Sequence, residues 1–454
     1  MPDQPPPPGR EGPRALLVAA GRSGAGKSVT TLGLLRALRR RGLRVAAAKS
    51  GPDYLDPAFH SAATGAPAIT LDPWAMGGAE LRARAAAAAE AAELLVIEGA
   101  MGVLDSAAAP AAKGRARGSA ADLAAARDAP IALVLDMDGQ AQTAAALAAG
   151  LKALRPDLRL GGVILNRVGS ARHARLATDA LARCGVTVWG ALPRSPALGT
   201  PSRHLGLVQA RERPDLDAFI EGAADLIAER LDLDAIIAAA HPLAGPPSPV
   251  RTPPIIPPLG GRIAVARDDA FAFIYPHVLA DWRAAGAEIV FFSPLQDEPP
   301  DASADAVYLP GGYPELHAPT LSGALTFHSG LRRAAARGAW IYGECGGYMA
   351  LGEGLIDADG RRWPMAGMLP VSVSFAERRL QLGYRRLRLR EAGPFGDPGA
   401  VFYGHEHHYS VQASRDPGVS ALFEAWDAAG APQPDMGAML GRVLGSYAHL
   451  IAPG

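Results

Sequence analysis

Short apolar runs alternate with longer amphipathic stretches along the first half of the chain. Each run is almost continuously apolar, which is typical of strands buried on both faces of a parallel sheet. The runs predict strands over residues 15–20, 44–48, 94–98, 131–136, 162–166 and 187–191. Apolar side chains at about every third position predict a helix over 27–41, which Gly42 ends. Alanine-rich stretches predict outer helices over 80–92 and 141–154.

The second half shows the same alternation and then becomes rich in strand-forming residues. Its predicted strands are 262–266, 288–292, 306–309, 340–342, 371–375, 384–389, 401–403, 422–425 and 442–448. This pattern predicts an α/β fold with two domains, each an open sheet covered by helices, the second with an antiparallel extension.

A proline-rich segment separates the two halves, and so many prolines fit neither a helix nor a central strand. We therefore predict a disordered tail over 1–13, a first domain over 14–240, a linker over 241–261 and a second domain over 262–454. The tail is rich in proline and has no apolar run, so it does not resemble a signal peptide.

Composition and charge narrow the classes of function. Hydrophobic residues make up 49% of the chain and charged residues 20%, as in ordinary globular proteins. Basic and acidic residues both number 45, so the charge gives no sign of a nucleic-acid partner or an acidic membrane surface. No apolar stretch is long enough to predict a membrane span. The only two cysteines, Cys184 and Cys345, exclude a disulfide framework and fit the reducing cytoplasm.

The segment GRSGAGKS, residues 21–28, follows a predicted strand and opens a predicted helix. This is the spacing of a phosphate-binding loop, whose glycines let backbone N–H groups surround phosphate. The glycines are Gly21, Gly24 and Gly26. Lys27 would reach the β- and γ-phosphates of ATP, and Ser28 would offer its hydroxyl to Mg²⁺. The alternative is a strand-to-helix turn without a function.

Two further features lie at the same predicted edge of the sheet. Glu98 ends an apolar strand, where ligands bind in open α/β sheets, so we predict that it is a second Mg²⁺ partner. The segment KSGPDYLDP, residues 49–57, has two prolines and a glycine and predicts a rigid, nonhelical loop. Within it Asp53 suits Mg²⁺, and Lys49 suits phosphate or a substrate carboxylate. The candidates for an apolar substrate face are Tyr54 and Leu55. A solvated acid and an ordinary polar loop are the alternatives.

A thiol defines a second candidate centre. In GECGGYM, residues 343–349, small residues around Cys345 permit the sharp strand-to-helix turn that presents a nucleophile. We expect the helix N-terminus to lower the pKa of this thiol. Backbone N–H groups of Gly312 and Gly346 could form an oxyanion hole, although a plain turn fits Gly312 equally well. Cys184 lacks this setting and is interpreted as a packed side chain.

A thiol nucleophile needs a base that is near in space but distant in sequence. The candidates are His405, His407, His408 and His449. His449 lies close to the end of a predicted strand, where it could face the thiol. The GHEHHYS cluster over 404–410 could instead bind a metal or a substrate. The residues alone leave a structural role for His449 as open as a catalytic one.

The motifs resemble two known domains. GRSGAGKS, KSGPDYLDP and LLVIEGAMGVLD are similar to the dethiobiotin-synthetase-like ATP domain. PGGYPE, GECGGYM and GSYAH resemble class I glutamine amidotransferases, which have a flavodoxin-like sheet. Together, over nearly the whole chain after residue 14, they resemble the cobyrinic and hydrogenobyrinic acid a,c-diamide synthase family. KSGPDYLDP followed by EGAMGVLD separates that family from cobyric acid synthase.

The resemblance implies roles for residues of this chain. Cys345 matches the glutaminase nucleophile and His449 matches its base. Most class I amidotransferases have a Glu two residues after this His, but here that position is Ile451, so what orients the imidazole stays open. Asn166 matches the position that reads adenine. The positions on the substrate side are matched by Asp53, Tyr54, Leu55 and Asp105.

The resemblance also implies a reaction. A carboxylate of a corrin polyacid attacks the γ-phosphate of ATP, with Mg²⁺ as the cofactor, and forms an acyl phosphate. The thiol releases ammonia from glutamine, and ammonia converts the acyl phosphate to an amide, at the a and c acetate side chains. The implied partners are ATP, glutamine and a corrinoid with or without cobalt. A homodimer is a separate expectation that the motifs themselves do not establish.

Other functions remain as alternatives. Cobyric acid synthase and nickel-sirohydrochlorin a,c-diamide synthase belong to the same reaction class. A partitioning-type ATPase switch is a different class, but such proteins have a second lysine at the position of Arg22 and lack a cysteine domain. A noncatalytic sensor would lack the Cys345 thiol, which is present.

Overall fold

The computed structural model describes residues 12–112, 115–195, 209–243 and 255–454, apart from the side chain of Arg211. Most of the predicted tail and most of the predicted linker lie outside the described residues. Within the described ranges no helix is long and apolar enough to cross a membrane. The chain forms two compact units.

The first unit is built on an eight-stranded sheet. Its strands are β1 (Arg14–Ala20), β2 (Val45–Ser50), β3 (Ile69–Leu71), β4 (Leu94–Glu98), β5 (Ile131–Asp136), β6 (Leu160–Val168), β7 (Val188–Pro193) and β8 (His241–Pro242). Seven strands pair in parallel in the order β3-β2-β4-β1-β5-β6-β7, and β8 pairs antiparallel with β1. Every residue of β4 and β5 is buried, as their continuous apolar runs predict.

The helices of this unit are α1 (Lys27–Arg40), α2 (Asp56–Thr64), α3 (Gly78–Ala89), α4 (Ala120–Arg127), α5 (Ala144–Leu154), α6 (Ala171–Arg183), α7 (Leu216–Arg230) and α8 (Leu233–Ala239). The segment 49–57, predicted to be nonhelical, is so only as far as Leu55. α2 begins at Asp56, because Pro57 lies in the first turn, where a helix does not need its N–H group. β3 was not predicted, since three residues are too short for a periodic signal.

Within its described residues the second unit contains three sheets, and its core is a six-stranded sheet. The strands are β9 (Arg262–Ala266), β10 (Glu288–Phe292), β11 (Ala306–Leu309), β12 (Trp340–Glu344), β21 (Ala438–Leu440) and β22 (Val443–Ser446), and their order in the sheet is β10-β9-β11-β12-β22-β21. All neighbours are parallel except β21, which is antiparallel to β22. The first five positions of this order follow the flavodoxin-like 2-1-3-4-5 arrangement.

The remaining strands are β13 (Gly354–Ile356), β14 (Arg362–Pro364), β15 (Val371–Ser374), β16 (Gln381–Leu389), β17 (Val401–His408), β18 (Val411–Arg415), β19 (Phe423–Asp427), β20 (Pro432–Met436) and β23 (His449–Pro453). They form a four-stranded sheet, β14-β13-β15-β18, and a five-stranded antiparallel sheet, β20-β19-β16-β17-β23. The helices are α9 (Pro276–Ala284), α10 (Ala318–Gly323), α11 (Leu325–Ala336) and α12 (Gly346–Leu351). The predicted fold class is confirmed.

The late strand predicted over 442–448 is confirmed as β22 (Val443–Ser446), and it ends two residues early because the chain changes sheets there. β22 ends at Ser446 in the parallel sheet, and β23 begins at His449 in the five-stranded sheet. Two residues connect the strands, so His449 begins a strand next to the end of the parallel sheet.

Two short segments from the first half of the sequence belong to the second unit, namely Trp74–Met76 and the described part of 107–117. The ring of Trp74 stacks on Tyr384 with centroids 4.3 Å apart. The guanidinium of Arg115 lies 4.4 Å from the ring centroid of Tyr403. A division of the sequence at the proline-rich segment does not anticipate these contacts.

Candidate active site

The predicted phosphate loop connects β1 to α1, beginning at Gly21. Gly24 and Gly26 have φ angles of 73° and 92°, a left-handed conformation that glycine adopts without strain. The loop borders a cavity of about 610 Å³, a size that suits a nucleotide. The predicted nucleotide-binding residues in its lining are Gly24, Gly26, Lys27, Ser28 and Asn166.

Asn166 lies directly against this loop. Its Nδ2 atom donates to the backbone oxygen of Ala25 at 2.9 Å. Any residue other than glycine at position 26 would place its Cβ atom, a side-chain carbon that Gly26 lacks, only 2.1 Å from Nδ2. Asn166 therefore fixes the loop while it lines the cavity. Its contact with adenine stays a prediction.

Glu98 is the centre of a buried polar network at the end of β4. Its Oε1 atom accepts hydrogen bonds from Ser28 Oγ at 2.6 Å and from Lys49 Nζ at 2.8 Å. Its Oε2 atom lies 2.7 Å from Nε2 of His60, a residue of α2. Burial favours the neutral acid, but Lys49 and His60 outweigh it and hold the pKa of Glu98 well below its usual range. Two of the three predicted Mg²⁺ ligands, Ser28 and Glu98, thus lie together.

Lys49 is surrounded by carboxylates. Its Nζ atom lies 2.5 Å from Asp56 Oδ2, 2.8 Å from Glu98 Oε1 and 3.9 Å from Asp53 Oδ2. Burial alone would lower the pKa of Lys49, but these carboxylates raise it above its ordinary value. Burial, together with the charge of Asp53, raises the pKa of Asp56 to about 7. The cluster therefore keeps a buried ammonium ion beside the loop.

Lys27 is buried as well, and burial lowers its pKa, while Glu98 and Asp105 are among the groups that oppose the shift. Asp105 is exposed and accepts a backbone N–H at 2.7 Å. Tyr54 and Leu55 are only 7% and 9% exposed, so neither is presented to solvent. Contact of these two side chains with a substrate stays a prediction.

The second candidate centre has the predicted strand–turn–helix geometry. Cys345 connects β12 to α12 with φ 46° and ψ −104°, a strained conformation that is typical of a nucleophile elbow. The next turn requires glycine, since a side-chain carbon on Gly347 would lie 1.9 Å from the backbone oxygen of Leu309. The N–H of Cys345 donates to Ser446 at 2.8 Å, which fixes the elbow against β22.

The structure brings His449 to this elbow. A side-chain carbon on Gly311 would lie 2.3 Å from Cε1 and 2.9 Å from Nε2 of His449, and 3.3 Å from Cβ of Cys345. Nε2 and Cys345 Cβ are therefore within about 6 Å of each other. The other ring nitrogen, Nδ1, lies 3.7 Å from Oε2 of Glu344. An imidazole in this place can accept a proton from the thiol.

The expected low pKa of the thiol is wrong. Cys345 is 2% exposed, and burial raises its pKa above the ordinary value, with a further rise from Glu315. The hydrogen bond from the N–H of Gly346 opposes this rise but does not overcome it, and α12 has only six residues. Burial also lowers the pKa of His449 to about 3. The resting pair is therefore a neutral thiol and a neutral imidazole.

The competing histidines occupy other places. His408 is held by Glu406 at 2.9 Å and by the backbone oxygen of Ser410 at 3.0 Å, and its ring stacks on Tyr447. His405 pairs with His449 across β17 and β23. Nowhere in the described part of the chain do three His, Cys, Asp or Glu side chains form a group that could hold a metal ion. The structure therefore gives no support to a metal site in the GHEHHYS segment.

The two predicted oxyanion-hole residues are neighbours. A side-chain carbon on Gly346 would lie 2.9 Å from the backbone nitrogen of Gly312. A side-chain carbon on Gly312 would lie 2.0 Å from the backbone oxygen of Ala270, so only glycine fits there. Both backbone nitrogens thus lie beside Cys345.

Sequence reasoning did not assign His60, Glu344 or Gly311. His60 gives no local signal, since only folding brings it to Glu98. Glu344 does give one, because an acid at the end of an apolar strand was the reason for selecting Glu98. Gly311 precedes Gly312, and the need for a glycine at position 311 is visible only from the position of His449, whose ring would clash with a side chain there.

Two family models match the chain. Residues 16–208 match the CobQ/CobB/MinD/ParA nucleotide binding domain, and residues 262–454 match the CobB/CobQ-like glutamine amidotransferase domain. The first contains the phosphate loop, and the second contains Cys345 and His449.

Curated relatives extend the likeness over both domains. The hydrogenobyrinate a,c-diamide synthases of Mesorhizobium japonicum and Rhizobium meliloti are each 50% identical, over 97% and 96% of this chain and 98% of their own length. That of Rhodobacter capsulatus is 49% identical over 97% of this chain and 99% of its own. The prediction from the motifs is confirmed, and the chain belongs to the hydrogenobyrinate a,c-diamide synthase family.

Proposed function

We propose that this protein is an ATP- and glutamine-dependent ligase that amidates the a and c acetate carboxylates of hydrogenobyrinic acid. One observation carries the proposal. Relatives with this named activity match the chain at about half of all positions and along nearly its whole length, so both centres are included. Cobyrinic acid, the cobalt-containing corrin, stays an alternative substrate.

The thiol centre supplies ammonia. Nε2 of His449 takes the proton of the Cys345 thiol, and the sulfur attacks the amide carbonyl carbon of glutamine. Backbone N–H groups of Gly312 and Gly346 stabilise the oxyanion that forms. The proton passes from His449 to the leaving nitrogen, ammonia departs, and water hydrolyses the γ-glutamyl thioester to glutamate.

The phosphate-loop centre activates the acid. Lys27 balances the negative charge that moves onto the transferring phosphoryl group as a substrate carboxylate attacks the γ-phosphate of ATP. The products are ADP and an acyl phosphate. Ammonia then attacks the acyl carbon, and inorganic phosphate leaves as the amide forms. Lys49 and Asp105 are proposed to contact the substrate, and Asn166 the adenine.

Ser28 and Glu98 are proposed to hold Mg²⁺ with the nucleotide. Their hydroxyl and carboxylate oxygens lie 2.6 Å apart, and oxygen atoms are the ligands that Mg²⁺ prefers beside phosphate groups. When bound, the ion neutralises phosphate charge. Asp53 fits less directly, because its Oδ1 atom already accepts the N–H groups of Leu55 and Asp56 at 2.8 and 3.0 Å.

Two further proposals concern the protein in the cell. We place the reaction in the cytoplasm, where ATP and glutamine are supplied and the Cys345 thiol stays reduced. We also propose a homodimer, which light scattering of the purified protein tests directly.

The test measures synthesis by two cysteine variants, each supplied with glutamine or with ammonium salts as the nitrogen donor. Cys345→Ala removes the nucleophile, so synthesis with glutamine should be lost while synthesis with ammonium salts continues. Cys184→Ala is the matched control and should keep both activities, because Cys184 is the C-cap residue of α6 and belongs to neither the phosphate loop nor the nucleophile elbow. Loss of ammonium-driven synthesis in a folded Cys345→Ala protein would refute the separation of the two centres.

A further inference from the structure

We propose that Glu344, the residue immediately before the nucleophile, positions His449 and stabilises its protonated form. This inference rests on the proposed glutaminase activity of the thiol centre. It supplies the carboxylate that position 451 lacks, since Ile451 is apolar and 1% exposed. Two observations support it, namely the donors that fix the Glu344 carboxylate and the different partners of the two imidazole nitrogens.

The Glu344 carboxylate is fixed by three donors. Tyr308 Oη donates to Oε2 at 2.7 Å, and Tyr342 Oη donates to Oε1 at 2.8 Å. The N–H of Leu450 donates to Oε1 at 3.1 Å. A carboxylate has about four acceptor positions, so three are used and one remains on Oε2. Oε2 is also the atom that lies 3.7 Å from Nδ1 of His449.

The two nitrogens of His449 face different partners. Nδ1 faces Glu344, whereas Nε2 lies against Gly311 beside Cys345. A proton on Nδ1 directed at the carboxylate leaves the lone pair of Nε2 available to the thiol. A separation of 3.7 Å is longer than a hydrogen bond, but such catalytic contacts often tighten only when substrate binds.

Chain connectivity makes this arrangement rigid. Glu344 pairs with Ser446 across β12 and β22, three residues before His449. The main chain of Leu450 also binds the same carboxylate. Glu344 therefore holds the strand that carries the base, and its neighbour Cys345 carries the nucleophile.

The charge of Glu344 is what the imidazole requires. Burial lowers the pKa of His449 to about 3, so an isolated imidazole here would be a poor base. When Nε2 takes the thiol proton, an ionised carboxylate beside Nδ1 stabilises the imidazolium. Burial raises the pKa of Glu344 to about 7, so this stabilisation is present above that pH and is lost as the pH falls through it.

Other titratable groups surround the pair. His449 also faces His405, His407, His408 and the ring of Tyr275. Cys345 faces Glu315 and Glu406. Glu315 is the important competitor, because burial raises its pKa to about 7 as well. The experiment must therefore separate Glu344 from Glu315.

The experiment measures glutaminase activity of the full-length protein between pH 5.5 and about 9, together with ammonium-driven synthesis. Wild type should lose glutaminase activity as the pH falls through about 7. We call this loss of activity toward low pH the acid limb of the pH profile. Glu344→Gln should lower kcat at high pH by about 10²-fold or more, with KM for glutamine little changed. The same variant should no longer show the acid limb. Glu344→Asp should recover part of the activity and the limb. Glu315→Gln is the matched control and should keep the limb.

A second variant covers the case in which Glu344→Gln does not fold. Tyr342→Phe keeps the carboxylate but removes one donor, so the limb should move to higher pH by roughly half a unit to one unit. Glu344→Gln with activity within about three-fold of wild type, or an unmoved limb in Tyr342→Phe, overturns the proposal. A wild-type protein without any glutaminase activity would instead contradict the proposed function itself.

Discussion

Gly311→Ala tests the placement of the base against the nucleophile. The added carbon would lie 2.3 Å from Cε1 of His449, whereas two carbon atoms in contact need about 3.5 Å. The imidazole must therefore move by about 1 Å. A shift of that size in a reacting group costs on the order of 10²-fold in rate, or about 2.7 kcal/mol of transition-state stabilisation.

The assay follows product formation with glutamine and with ammonium salts, beside the thermal unfolding midpoint. Gly311→Ala should lose about 10²-fold with glutamine and little with ammonium. Gly323→Ala is the matched control, because a side-chain carbon there would meet nothing within 4 Å. Glutamine-dependent synthesis within about three-fold of wild type would refute the account of His449. An equal loss with both donors would place the effect outside the thiol centre.

Three further experiments test the remaining assignments. Lys27→Ala should lower synthesis by more than about a hundredfold with either nitrogen donor and leave basal glutaminase activity, and near-normal synthesis would contradict the phosphate-loop assignment. His449→Ala should abolish glutaminase activity while His407→Ala leaves it measurable, and the opposite ranking would move the base into the GHEHHYS segment. Tyr54→Ala or Leu55→Ala should accumulate the monoamide with ATP affinity little changed, and time-resolved chromatography would contradict this if both amidations slowed equally.

Local motifs could be predicted from the sequence because contiguous residues determine them. The glycine spacing of 21–28 gives a loop whose left-handed residues, Gly24 and Gly26, are in place. The small residues around Cys345 give its strained turn. In both cases the geometry depends on residue types within a few positions.

The pairs that complete each centre could not be predicted in this way. Glu98 meets His60 of helix α2 across 38 positions, and Glu344 meets His449 across more than a hundred, so only the tertiary fold brings each pair together. The direction of the Cys345 pKa shift also depends on burial, which is a tertiary property. A helix N-terminus alone predicts the wrong sign there.

The most direct test of the central claim is mass spectrometry of the product formed from hydrogenobyrinic acid, ATP and glutamine labelled with ¹⁵N in the side-chain amide. For the wild-type protein we predict an a,c-diamide that carries ¹⁵N in both new amides. Cys345→Ala should form the diamide only when ammonium is added, and then without ¹⁵N from glutamine. Unchanged substrate, or amides without ¹⁵N from wild type, would contradict the proposed function.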